Sequence, residues 1–173
     1  MLITPPAPHE YAPHYATYIS KVQQNNLLEA LQLHTQSFTA FIQNIPEEKS
    51  NYAYAPGKWT VKEILLHLID AERIFAYRAL RFARNDSTAL PGFDENAYVP
   101  YSHANSRTLT SIIEEFTAVR QATLTLFNNL EEAAFMRTGT ASNKPITVRA
   151  IGYAIIGHAQ QYKQVIAERY LKF

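Results

Sequence analysis

One stretch, residues 59–72, most constrains what this chain can fold into. Thr60 is a good N-cap residue, and Glu63, three positions later, completes the capping-box pattern in which each side chain serves the other's backbone amide. Trp59, just ahead of the cap, is placed to pack on Ile64 as a hydrophobic staple. Val61, Ile64, Leu65, Leu68, Ala71, Phe75 and Ala79 then recur at helical spacing and draw one apolar stripe. A long amphipathic helix of this kind must bury that stripe against other elements.

His67 lies at the edge of the stripe, about 60° around the helix from Ile64, with Glu63 one turn before it and Asp70 one turn after. Two readings of these residues stand side by side. In one, the imidazole is a metal ligand oriented by neighbouring carboxylates. In the other, it is a half-buried histidine hydrogen-bonded to an acid.

Three more helices are expected, over about residues 18–45, 108–129 and from Thr147 to near the end. Leu27, Leu28, Leu31, Phe38, Phe41, Ile42 and Ile45 trace the core face of the first, with His34 beside it, and Pro46 ends it. Leu109, Ile112, Ile113, Phe116, Val119, Leu124 and Phe127 do the same for the third. The last helix, capped by Thr147, carries His158 inside its apolar stripe together with Ile151, Ile155, Tyr162, Val165 and Ile166. A histidine there must be hydrogen-bonded or bound to something, because an unsatisfied ring nitrogen is costly in a core.

With only five glycines and helix formers filling every periodic segment, the expected fold is all-α: an up-and-down four-helix bundle in a single domain, residues 1–173. Residues 1–18, dense in proline and tyrosine, are expected to form an extended N-terminal arm over its surface. Residues 85–107 are expected to be a long ordered loop between helices two and three, its aromatics Phe93, Tyr98 and Tyr101 walling a small-molecule pocket. Residues 130–144 read as a plain connection, with Phe135 and Met136 tucked in and a turn at Gly139.

Composition removes several function classes. The net charge is +1, with no run of basic residues, so no nucleic-acid or anionic-membrane footprint is expected. The absence of cysteine excludes disulfides, thiolate zinc sites and cysteine nucleophiles within the chain. No secretion signal and no spanning helix are visible, so a cytoplasmic location is expected. Ser102-His103 lacks the elbow of a serine nucleophile. Asp70 and Glu72, two apart on a helix, point about 200° from each other and cannot act as a carboxylate pair.

Three segments together resemble a known family. Trp59-Thr60-x-x-Glu63-x-x-x-His67-Leu68-x-Asp70-x-Glu72 is similar to the second-helix signature of the DinB-like four-helix bundle superfamily, which includes the YfiT-type proteins. Pro91-Gly92-Phe93-Asp94-Glu95 is similar to its following loop. Gly157-His158-x-x-Gln161-Tyr162-x-x-Val165-Ile166-x-Glu168-Arg169-Tyr170-Leu171 is similar to its last helix.

The resemblance spans residues 25–173. It implies a divalent metal, nickel or zinc, held by three histidines, one from helix two and two from helix four. His67 takes the first position and His158 the second; the third falls on Tyr162, with Gln161 beside it. A phenol of pKa about 10 is a poor ligand at neutral pH, so metal occupancy is expected to be low or absent. Glu63, Asp70, Asp94 and Gln161 complete the expected pocket. The implied activity is metal-dependent transfer of a low-molecular-weight thiol such as bacillithiol or mycothiol, or hydrolysis. The alternative is a metal-free small-molecule binder or a stress-associated interaction protein that has lost the catalyst. The expected partners are a small molecule and, through an exposed helix face, a second copy of the chain as a homodimer.

Overall fold

The computed structural model describes residues 1–171. Its four long helices are α2 (Leu27–Gln43), α3 (Val61–Ala83), α5 (Leu109–Asn128) and α6 (Val148–Arg169). Two short ones join them, α1 (Ala16–Ile19) and α4 (Glu95–Tyr98), with a hairpin of β1 (Thr138–Ala141) and β2 (Lys144–Thr147). The four-helix bundle expected from the sequence is what forms.

The capping chemistry sets the helix starts. The Glu63 amide donates to Thr60 Oγ1 at 3.2 Å, and the Thr60 amide donates to Glu63 Oε2 at 2.7 Å. Thr108 and Thr147 cap α5 and α6 through their hydroxyls in the same way.

The bundle is a square in which α3 packs on α5 and α6, and α2 packs on the same two. The consecutive pairs α2–α3 and α5–α6 therefore face each other across the diagonals. Leu27 meets the start of α6 at Gly152, and Phe38 meets Phe116, so α2 runs with α6 and against α5. The Tyr170 hydroxyl reaches the Trp59 carbonyl at 2.7 Å, so α3 runs against α6.

Direction thus alternates across α2–α3 and α5–α6, as an up-and-down bundle requires, and fails to alternate once: α3 and α5 are parallel. The physical reason is loop length. α3 is about 35 Å long, and the roughly 25 residues after it are enough to run back beside it. That return is fastened where Asn105 accepts from Thr60 Oγ1 at 2.7 Å and donates to Glu63 Oε1 at 3.0 Å.

Three local expectations are corrected. The first helix does not run unbroken from residue 18: α1 ends at Ile19, and α2 begins only at Leu27. The arm is not extended throughout; it makes two single turns at Pro8–Glu10 and Pro13–Tyr15 and buries Ile3, Ala12 and Tyr15. Proline at the first position of each turn forgoes an amide that has no partner anyway. Residues 130–144 are not a plain connection but contain a one-turn helix and β1.

Within that stretch the reversal is at Ser142 and Asn143, both at positive φ (51° and 62°), as a two-residue hairpin turn needs. Gly139 is instead a close-approach residue: a Cβ there would lie 2.0 Å from the Phe82 ring. Phe135 is buried as expected, whereas Met136 is exposed.

Candidate functional site

Helical spacing carries His67, Ala71, Phe75 and Arg78 down one face of α3 toward α6, which presents His158 and, one turn later, Tyr162. His67 and His158 face each other with their Nε2 atoms 3.1 Å apart. Tyr162 closes the triangle, its ring centroid 5.2 Å from His67 and 5.1 Å from His158. Trp59 covers His67 at 5.0 Å, and Tyr18 of α1 covers His158 at 5.1 Å. α1 can come this close because position 157 is glycine: a Cβ there would sit 1.9 Å from the Tyr18 carbonyl oxygen.

His67, His158, Tyr162 and Tyr18 wall a cavity of about 220 Å³. Its other contributors include Phe93 and Glu95 from the long loop, Arg78 from α3 and Ser142 from the hairpin. Five separate parts of the chain, α1, α3, the long loop, the hairpin and α6, meet there.

Burial dominates the electrostatics. It pushes His67 down to about 4, with Glu95 pulling weakly the other way. It pushes His158 down to about 3, with His67 adding to the effect. Both imidazoles are therefore neutral at pH 7, and across the 3.1 Å gap either one Nε2–H donates to the other ring or both lone pairs turn to a shared cation. Burial raises the Tyr162 phenol to about 12, helped by Tyr18 and Glu95, so it is a neutral hydroxyl.

The remaining expected pocket residues are placed differently. Glu63 is engaged in the α3 cap and with Asn105, at the margin of a small cleft beside His67. Asp70 borders the same cleft, half-buried, 3.8 Å from Arg73 in an ion pair; burial raises its carboxyl. Asp94 is exposed and caps α4, accepting from the amides of Asn96 and Ala97. Gln161 is half-buried on α6 and does not line the cavity. Phe93 and Tyr98 line these spaces, while Tyr101 is 82% exposed and walls nothing.

Three features escaped the sequence reading. Glu95 enters the cavity only because the long loop folds back, and no periodicity announces that. Arg78 had a signal: eleven residues after His67 is about 20° around the helix, the same face. The third is a buried ion pair: Arg120 grips both oxygens of Glu72 at 2.7 and 2.8 Å and donates from Nη1 to His34 Nδ1 at 3.0 Å. Glu72 thus points into the bundle centre, away from Asp70.

The two imidazoles fit a divalent ion. Bonds of about 2.0–2.1 Å at right-angled to tetrahedral geometry place two ligand nitrogens about 2.8–3.4 Å apart, and the observed separation falls inside that range. The rest of a three-ligand set is missing: among the described residues no three His, Cys, Asp or Glu side chains are grouped to hold a metal. Tyr162, one turn after His158, is a neutral phenol.

Two solved structures share this fold. YfiT from Bacillus subtilis, described as a probable metal-dependent hydrolase with an unusual four-helix bundle topology, superposes with a TM-score of 0.72 at 16% identity, over 94% of this chain and 89% of its own. The mycothiol-dependent maleylpyruvate isomerase superposes with a TM-score of 0.67 at 10% identity, over 80% of this chain and 58% of its own. At these identities the likeness is one of fold. No curated protein matches the sequence significantly. The sequence profile of the DinB superfamily matches residues 30–166, which embrace both histidines and all four long helices but for the ends of α2 and α6: the chain belongs to the DinB superfamily.

Proposed function

We propose that the His67–His158 cavity is a small-molecule site at which nickel or zinc, held exchangeably by the two imidazoles, assists hydrolysis or the transfer of a low-molecular-weight thiol. The carrying observation is the convergence of two neutral Nε2 atoms to 3.1 Å in a cavity wall. The fold it shares with a probable metal-dependent hydrolase and a mycothiol-dependent isomerase supports the same reading. When bound, the ion lowers the pKa of a thiol or water and makes a nucleophile at neutral pH. The protein's own part is to hold and to shield. His67 and His158 give two donors, Tyr18 and Tyr162 exclude bulk water, and Glu95, the sole carboxylate lining the cavity among the described residues, accepts or returns a proton at its carboxylate.

The missing third ligand favours a second reading, a metal-free binding pocket in which one imidazole N–H donates to the other ring. Metal content by mass spectrometry, on protein purified without a nickel column and dialysed against zinc or nickel, separates the two. Near one equivalent in wild type, lost in both His67→Ala and His158→Ala, supports the metal reading and leads to thiol-transfer and hydrolysis assays. No metal in the wild type leaves the binding reading.

A further inference from the structure

Arg78 is the unusual residue of this cavity. Its side chain lines the space, yet the residue is only 3% exposed. Arg120, the other buried arginine among the described residues, has an acid, Glu72, and even the half-buried Arg149 pairs with Glu10. Among the described residues Arg78 forms no ion pair. Nη2 donates to the Pro91 carbonyl at 2.8 Å and to the Ser142 hydroxyl at 3.1 Å, and the Tyr15 hydroxyl is a further hydrogen-bond partner. That hydroxyl is a neutral group because burial raises the phenol. Phe75 and Phe93 present their rings to the guanidinium at 5.9 and 6.0 Å, which orients it and gives no counter-charge.

A buried guanidinium without an acid is costly unless an anion completes it. We propose that Arg78 is the anchor for the carboxylate of a small organic acid with an apolar, aromatic-sized body, bound in the same cavity as His67 and His158. The planar fork of arginine suits a carboxylate. Glu95 in the same cavity disfavours a dianion such as phosphate. The volume of about 220 Å³ is below that of drug-sized sites, and the Phe75, Phe93 and Tyr18 rings suit a flat apolar body. The carboxylate places the acid's other end toward the histidine pair. This inference rests on the cavity being the ligand site, not on the presence of metal.

The test is calorimetric titration of chelator-treated, full-length protein with sodium benzoate, benzamide and inorganic phosphate at fixed ionic strength. The expected result is benzoate bound at least about tenfold more tightly than either other probe, with that preference lost in Arg78→Gln. Equal binding of benzoate and benzamide, tighter binding of phosphate, or no binding of benzoate overturns the proposal. Because Arg78→Gln also loosens the Pro91 and Ser142 contacts, wild-type protein gives an independent readout: benzoate shifts the Arg78 Nε–H resonance and benzamide does not. An unmoved resonance with benzoate bound also overturns it. Benzoate selectivity without metal leaves this inference standing while the metal reading fails; one equivalent of metal without selectivity does the reverse.

Discussion

At the scale of single residues, burial decides what each ionisable group does. His67 and His158 stay neutral in the folded chain well below the pH, about 6.5, at which an unfolded histidine takes up its proton. The unfolded state therefore binds more protons on acidification, and stability falls as pH drops through 6.5 toward the folded values of about 4 and about 3. The expected loss is on the order of 2 kcal/mol per histidine between pH 7.5 and 5. Urea unfolding of chelator-treated protein measures it, and His158→Gln is expected to flatten the slope; an equal slope in both proteins contradicts the assignment. Glu72 and Arg120 meet in the bundle centre as a bidentate ion pair. Arg120→Leu strands the carboxylate and is expected to cost about 3–5 kcal/mol, whereas Glu72→Leu with Arg120→Leu recovers most of that. Urea midpoints of the two variants check it.

At the scale of elements, the helices were legible because their signals are local. The Thr60–Glu63 box, the Thr147 cap and the stripes of α3, α5 and α6 need no partner to be recognised, and the boundaries of α3 and α5 agree with expectation within about one or two residues. The break at residues 20–26 was not legible: α1 and α2 each pack on α6, a long-range contact that local spacing does not announce. The hairpin was missed because its turn is Ser142-Asn143, with no glycine at either left-handed position. Gly157 belongs to this scale, since it lets one helix approach another. Gly157→Ala is a good helix substitution in isolation, yet it drives a methyl into the Tyr18 carbonyl. It is expected to destabilise by about 1–3 kcal/mol and to lift Tyr18 from His158. Thermal unfolding gives the first effect, and histidine ring chemical shifts the second.

At the scale of the whole molecule, the arm acts as a strap over the hairpin and the start of α6. Glu10 accepts from Arg149 Nε at 2.8 Å and from the Thr147 hydroxyl at 2.9 Å, and the Tyr153 hydroxyl donates to the Ile3 carbonyl at 3.1 Å. Glu10→Ala leaves Arg149 half-buried without its acid and is expected to cost about 2–4 kcal/mol by urea denaturation; a variant unchanged in stability would show the strap to be ornamental. The histidine pair was legible at this scale because a bundle builds its sites from side chains on facing helices, and the resemblance named the same two residues. Periodicity placed His67 and His158 at or in apolar stripes, but that α3 and α6 are neighbours is a property of the return loop. Arg78 and Glu95 reach the cavity by the same route.

That return loop also bears on how fast the chain can find its fold. Helices joined by short turns and packed side by side assemble as hairpins, with little chain entropy lost before contacts form. Here α2 and α3 lie across a diagonal, as do α5 and α6, so neither consecutive pair is a ready hairpin. The side-by-side neighbours α2–α5, α2–α6 and α3–α6 are far apart in sequence, and α3–α5 must first close the loop. Contacts of such long sequence separation slow the search. Stopped-flow refolding is expected to run at least about tenfold slower than that of an alternating four-helix bundle of equal length and stability, and cutting the loop's Asn105 fastening by Asn105→Ala to slow it further.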